Sequence, residues 1–213
     1  MSEPTRSEAP FDLTTERLEA FSDAVIAVII TILALGLELP KELTWDQIGK
    51  QVPSFLIYVL AFVNLAIWWN NHHHLLRATT RISGAVMWAN MALLFFLSLI
   101  PVATQWLREA FEPKPAAFFG LVSFFAGIAY SVLVRTIVRA NGRDSVVARS
   151  VHGDVKGLAS IALYGAGVLV AVLSAWISVG SLNLGTWIPI ALYIVVAVMW
   201  LVPDRRFTHD HRG

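Results

Sequence analysis

The sequence predicts an all-α integral membrane protein with six transmembrane helices in one domain. Hydrophobic residues make up 56% of the 213 residues and charged residues only 15%, whereas about a quarter of an ordinary soluble domain is charged. The apolar residues also gather into six long runs, each long enough to cross a bilayer core of about 30 Å as a helix. Together, the two observations place the chain in a lipid bilayer.

The first apolar run, residues 18–39, contains three charged residues, Glu19, Asp23 and Glu38. With a rise of about 1.5 Å per residue it forms a helix roughly 33 Å long, and Pro40 is expected to end it. A carboxylate costs on the order of 3 kcal/mol at the centre of a bilayer. Asp23 is therefore expected to face protein rather than lipid.

One side of this first helix is predicted to be an apolar stripe with a single hydroxyl group. Successive residues are about 100° apart on a helical wheel, and six of them fall on one side. These stripe residues are Phe21, Ala24, Val28, Thr31, Ile32 and Leu35. Their three- and four-residue spacing lets the helix pack against, or surround, a common axis. Ser22 and Asp23 point away from the stripe, toward whatever packs behind the helix.

Five further helices are predicted along the chain. They are expected at about residues 53–76, at 82–107, from a turn bracketed by Pro113 and Pro115 to 134, at 158–179 and at 182–202. Pro101 is expected to kink the third helix, and Trp45 is expected to anchor the polar connection 41–52 at the membrane interface. The longest internal connection is predicted at 140–156. The six-helix domain then covers 17–203, between tails at 1–16 and 204–213.

The distribution of lysine and arginine predicts the orientation in the membrane. If the N-terminus lies inside, twelve of the 16 basic residues fall in inner segments and four in outer connections. Cytoplasmic segments carry an excess of basic residues. Both termini are therefore expected in the cytoplasm, with the chain as a multi-pass protein of the plasma membrane.

Composition also argues against several classes of function. The net charge is +1 and the basic residues are scattered, which argues against a nucleic-acid partner. The chain has no cysteine, which excludes disulfides, thiolate catalysis and Cys-ligated metals. The catalytic and nucleotide-binding motifs sought in the sequence are absent, so neither an enzyme nor a cofactor is expected.

Three consecutive histidines, His72, His73 and His74, close the second run. On a helix they project about 100° apart, so they cannot chelate one metal together. The remaining histidines lie in a loop and a tail, so no metal site is expected. The histidines are expected instead to join a hydrogen-bond network between helices. Partners available in the same layer are Ser22, Asp23, Trp69, Asn70, Asn71 and Asn90.

An ordered set of motifs runs through the first half of the chain. Arg17, Phe21, Ser22 and Asp23 form an RxxxFSD pattern at the head of the first run. The second run closes on Trp69-x-x-His72-His73, and the third contains Asn90, Pro101 and Thr104. In this order, the stretch from Arg17 to Thr104 resembles the short prokaryotic branch of the TMEM175-type potassium channels.

The resemblance implies a homotetrameric cation channel, with potassium and other monovalent cations as the permeating species. The filter position of that family, five residues after the Asp of FSD, falls on Val28, where the usual residue is Ile or Leu. Rings of Val28, Ile32 and Leu35 are then the hydrophobic constrictions, with a hydroxyl ring of Thr31 between them. The filter sequence TVGYG of ordinary potassium channels is absent from the chain. The resemblance also implies that Ser22 and Asp23 help to hold an inter-helix network.

Two other functions remain open at this point. The first is a proton-coupled secondary transporter, in which Asp23 with His72 or His73 carries the proton. A single buried acid and the lack of inverted repeats argue against it. The second is a membrane scaffold without transport activity, which would assemble normally and stay silent in every flux assay.

Overall fold

The computed structural model describes residues 14–38, 40, 42, 44–142, 144–151, 155–177 and 184–201. Within these residues the regular secondary structure is helical: α1 (Thr15–Leu35), α2 (Trp45–Arg77), α3 (Gly84–Ser98), α4 (Ile100–Glu109), α5 (Pro113–Asn141), α6 (Val146–Val151), α7 (Val155–Ile177) and α8 (Leu184–Leu201). Six spans are long and apolar enough to cross a membrane, with α3 and α4 counted as one. This confirms the predicted six-helix membrane architecture.

Both ends of α1 differ from the prediction. The helix begins at Thr15, inside the predicted tail, and ends at Leu35, before Pro40. Gly36 follows as the C-cap, because glycine is a poor helix former that loses more backbone entropy than other residues. The remainder of the predicted tails, residues 1–13 and 204–213, lies outside the described residues.

α2 begins at Trp45, eight residues before the predicted start, so the prediction of a polar connection at 41–52 was wrong for most of its length. Thr44 caps the helix, since its side chain accepts a hydrogen bond from the backbone nitrogen of Gln47 at 3.3 Å. Lys50 also pairs with Asp46 one turn away at 2.6 Å. Pro53, taken as the start of the span, lies inside the helix.

The prolines of the next two spans have different effects. α3 and α4 are separated at Leu99, two residues before Pro101, so the regular helix is interrupted close to the predicted kink, because proline cannot donate the backbone hydrogen bond. Pro113 and Pro115, predicted to bracket a turn, lie in the first turn of α5, where a proline removes no helical bond. α5 also continues past the predicted end to Asn141.

The predicted connection at 140–156 contains a short helix, α6, that hydropathy alone did not indicate. Gly142 ends α5 with φ of 91°, a conformation that favours glycine. The hydroxyl of Ser145 then accepts a hydrogen bond from the backbone nitrogen of Ala148 at 3.2 Å and caps α6. Gly142 thus ends α5 through its backbone conformation, and the Ser145 hydroxyl caps the start of α6.

α1 packs mainly against α2, α3 and α4, whereas α5 packs mainly against α3, α4, α7 and α8. Gly120 of α5 and Gly167 of α7 lie against the ring of Tyr193, and a Cβ on either would overlap that ring. The small residues therefore let α5, α7 and α8 approach closely, as expected for helices packed in lipid. The two groups of helices meet along α3 and α4 and also where α2 contacts α8.

Candidate functional site

The two faces of α1 have different surroundings. One face is buried against the rest of the subunit and consists of Leu18, Ser22, Ile26, Ile29 and Leu33. The opposite face carries the stripe predicted from the sequence, whose members are exposed in the single chain. Since the subunit leaves this apolar surface uncovered, something else covers it in the membrane.

The exposed fractions show how open the stripe is. Phe21 is 49% exposed, Val28 55%, Ile32 49% and Leu35 83%. The hydroxyl of Thr31 donates a hydrogen bond to the backbone oxygen of Val28 at 2.8 Å. Its own oxygen therefore keeps lone pairs that can accept a donor or contact a cation. The stripe offers apolar side chains and one polar oxygen on the same surface.

Behind the stripe, a buried polar triad joins α1, α2 and α3. Asn90 donates from its Nδ2 to the Ser22 hydroxyl oxygen at 2.9 Å. The Oδ1 of Asn90 lies 2.7 Å from Nε2 of His72, and Ser22 donates to the backbone oxygen of Leu18 at 2.8 Å. All three triad side chains are fully buried. Because Asn90 accepts through Oδ1, the Nε2 of His72 carries the proton.

A second cluster lies beside the triad, at the ends of α1 and α2. The Nε1 of Trp69 donates to Oδ1 of Asp23 at 3.0 Å, and the Trp69 ring stacks on His73 with centroids 5.5 Å apart. The Nδ1 of His73 lies 3.1 Å from a carboxylate oxygen of Glu19 and 3.6 Å from one of Asp23. These side chains are partly exposed, in contrast to the buried triad.

The structure thus separates the three consecutive histidines. His72 is buried in the triad, His73 meets the two carboxylates, and His74 is exposed. Arg17 is exposed in the first turn of α1. Glu19 is the residue that sequence reasoning missed, although its spacing of four from Asp23 put both carboxylates on one face of α1.

The described arrangement has relatives among known proteins. A family model described as "Endosomal/lysosomal potassium channel TMEM175" matches residues 17–101, which cover α1 except for its first two residues and all of α2 and α3. A potassium channel of Chryseobacterium sp. (strain P1-3) is 37% identical over 195 residues, which are 91% of this chain and 96% of that protein. The chain belongs to the TMEM175 family. The family predicted from the RxxxFSD pattern and the histidine run is therefore confirmed.

Two further TMEM175 proteins extend the comparison. The crystal structure of a lysosomal potassium-selective channel TMEM175 homolog from Chamaesiphon minutus superposes with a TM-score of 0.69 at 22% identity, over 88% of this chain and 98% of that one. The two proteins therefore share the fold. The endosomal/lysosomal proton channel TMEM175 of Homo sapiens is 31% identical over 115 residues, 48% of this chain but 23% of that protein.

Proposed function

We propose that this TMEM175 chain is the subunit of a homotetrameric, potassium-permeable cation channel in the plasma membrane. The observation that carries the proposal is the stripe on α1, which is apolar, contains one hydroxyl and is left uncovered by the subunit. The relative from Chryseobacterium, which matches nearly the whole chain, is named a potassium channel. The proposed pore runs along this stripe.

A single stripe cannot enclose a pore, and this is why the proposal requires an oligomer. Cyclic symmetry turns each stripe residue into a ring around a common axis. Burial of the stripe in the assembly also removes an exposed apolar face from the single subunit. The tetrameric state is carried over from the resemblance of the sequence to the family.

The chemistry of the rings suggests how conduction is controlled. Narrow rings of Val28, Ile32 and Leu35 exclude ions because water leaves a constricted apolar passage, and a small rotation of the helices opens it. Thr31 lies between these rings and presents a hydroxyl oxygen, since its proton is donated to the helix backbone. That oxygen replaces part of the hydration shell of a passing cation.

The orientation proposed here places both termini in the cytoplasm. Twelve of the 16 basic residues then lie in inner segments, in agreement with the excess of lysine and arginine on the cytoplasmic side of membrane proteins. The starts of α1 and α5 consequently face opposite sides of the membrane.

The proton-coupled transporter finds no support. The relatives are named channels, and His72 is held by Asn90 at 2.7 Å in a buried triad. No second function is proposed. Because the human relative is named a proton channel, a proton gradient belongs in the test of the channel proposal as a separate condition.

Single-channel recording of the purified protein in planar bilayers tests the function. With potassium on one side and sodium on the other, we expect discrete current steps and a reversal potential displaced toward the potassium equilibrium potential. Current steps whose reversal potential follows the proton gradient instead would identify the proton as the permeating ion. Ion flux without discrete current steps, or the absence of any current from an intact assembly, would contradict the channel proposal.

A further inference from the structure

Three side chains of the kinds that bind metals meet where the start of α1 approaches the end of α2. They are Glu19 and Asp23 of α1 and His73 of α2, and their donor atoms all lie within 4.8 Å of one another. We propose that these three residues form a binding site for a divalent transition-metal ion such as Zn²⁺, which links α1 to α2. The site is distinct from the stripe and from the buried triad.

The two distances from the histidine nitrogen are close to those between donors that share one ion. Bonds from Zn²⁺ to imidazole nitrogen or carboxylate oxygen are about 2.0–2.2 Å long, so donors at the corners of a tetrahedron lie about 3.3–3.6 Å apart. The Nδ1 of His73 lies 3.1 Å from Oε1 of Glu19 and 3.6 Å from Oδ2 of Asp23. One nitrogen and two carboxylate oxygens suit zinc and its neighbours in the first transition row. Three protein donors leave a fourth position for water.

The environment of the histidine nitrogen is a second, independent observation. The Nδ1 atom of His73 is enclosed and makes no hydrogen bond within the described part of the chain, although two carboxylates lie beside it. A simple ion pair would align one oxygen with the N–H bond. In a metal site the ion lies along the nitrogen lone pair and the oxygens lie to either side of that line. The second arrangement accounts for close oxygens without a hydrogen bond.

Trp69 orients two of the three donors. Its Nε1 donates to Oδ1 of Asp23 at 3.0 Å, and the other carboxylate oxygen, Oδ2, is the one nearer His73. Its ring stacks on His73 with an interplanar angle of 24°. Partners of this kind fix the direction of metal ligands and raise metal affinity. The site is therefore supported by the same tryptophan that belongs to the family pattern.

The cluster lies close to the ends of two membrane-spanning helices. Glu19 lies in the second turn from the start of α1, and His73 lies one turn before the end of α2. The side chains of Glu19, His73 and Asp23 are 20%, 24% and 31% exposed. The histidines alone predict no metal site, because the three consecutive ones diverge on the helix and the others lie in a loop and a tail. The structure instead combines one histidine with carboxylates from another helix.

A metal at this site would hold the start of α1 against α2, and a rotation of α1 would have to break a metal–ligand bond. Zinc binding requires no ion flux, so the result of the binding experiment is independent of the channel proposal. Isothermal titration calorimetry of the full-length, untagged protein in detergent with ZnCl₂ near neutral pH measures it. We expect His73→Gln and Glu19→Gln each to weaken zinc affinity at least about tenfold.

His74→Gln is the matched control, because it removes an exposed neighbouring histidine outside the cluster. We expect it to leave zinc affinity within about twofold of wild type. Wild-type affinity equal to that of His73→Gln, or an equal loss in His74→Gln, would show adventitious binding and overturn the proposal.

Thermal unfolding separates a lost site from a misfolded variant. Ligands that bind only the folded state raise its melting temperature, so zinc should raise that of wild type and His74→Gln but not that of His73→Gln. Unchanged melting of the wild type at saturating zinc would also overturn the proposal. Size-exclusion chromatography establishes that the compared variants keep the same assembly.

Discussion

α1 packs on α2 and α3 through apolar side chains and also through buried hydrogen bonds between polar side chains, whereas α5, α7 and α8 pack closely around aromatic rings. In the first region Asn90 bridges Ser22 and His72. In the second, Tyr193 lies 5.4 Å from Tyr164, measured between ring centroids, and is flanked by glycines. The second region contains a hydrogen bond too, from the Tyr193 hydroxyl to the Ala116 backbone at 3.1 Å.

The contrast assigns different mechanical roles to the two regions. Hydrogen bonds can be exchanged as a helix turns, whereas close-packed interiors resist continuous deformation. α1, which carries the proposed pore surface, is attached by the buried apolar side chains of Leu18, Ile26, Ile29 and Leu33 and by the polar triad. α5, α7 and α8 form a scaffold in which rotation of one helix would drive rings into neighbouring backbones.

Removal of the bridge in the polar region should have the largest effect on stability. Asn90→Leu keeps the size of the side chain but leaves His72 buried without its hydrogen-bond partner, while Ser22 keeps only its bond to the Leu18 backbone. An unpaired buried polar group costs about 1–3 kcal/mol, and His72 becomes such a group here. We expect a clear fall of the melting temperature in detergent and partial loss of the assembly on gel filtration.

Asn70→Leu is the control for this change, because Asn70 is exposed on α2 and the substitution is identical. Its melting temperature should stay close to that of wild type. Equal melting of Asn90→Leu and Asn70→Leu would show that the triad does not hold α1 in place.

In the close-packed region, the addition of one methyl group at Gly120 should destabilise the fold by about 1–3 kcal/mol, the usual cost of overpacking. A Cβ there would overlap the Tyr193 ring and approach Val168. Gly84→Ala is the contrasting change, since a Cβ at Gly84 meets nothing within 4 Å. Thermal unfolding should show Gly120→Ala below wild type and Gly84→Ala at or slightly above it. Reversal of that order would refute the close packing around Tyr193.

Trp69→Phe should have the smallest effect. It removes the hydrogen bond to Asp23 and keeps a ring that can stack on His73. Hydrogen bonds between membrane helices contribute about 0.6 kcal/mol on average, and this one is partly exposed. The same assay should show a small decrease in the melting temperature. A decrease as large as that of Asn90→Leu would move the main attachment of α1 from the buried triad to the partly exposed cluster.

The sequence predicts those features that depend on local pattern. Hydropathy locates all six spans, and the helical wheel separates Val28 and Leu35 from Ser22 correctly because α1 is a regular helix. The start of α2 was missed because hydropathy does not register a cap such as Thr44. The role of Glu19 was missed because its partner, His73, lies 54 residues away in sequence and only the packing of α1 against α2 brings them together.

The packing around Tyr193 could not be predicted from the sequence either. The sequence shows only that the fifth span is rich in small residues. Nothing in the sequence indicates that Gly120 and Gly167 face the same ring. That relation depends on the rotation of α5, α7 and α8 about their own axes. Such rotations are set by the tertiary packing of many side chains rather than by the period of one helix.

The central claim, that the stripe on α1 lines the pore, is tested most directly by one substitution at two exposed leucines. Leu35 is 83% exposed on the stripe and Leu169 is 59% exposed on α7. Serine at a hydrophobic constriction widens and wets it. Recording in planar bilayers should show higher conductance or open probability and weaker discrimination between potassium and sodium in Leu35→Ser, with Leu169→Ser unchanged. A leak in Leu169→Ser, with Leu35→Ser identical to wild type, would contradict the claim.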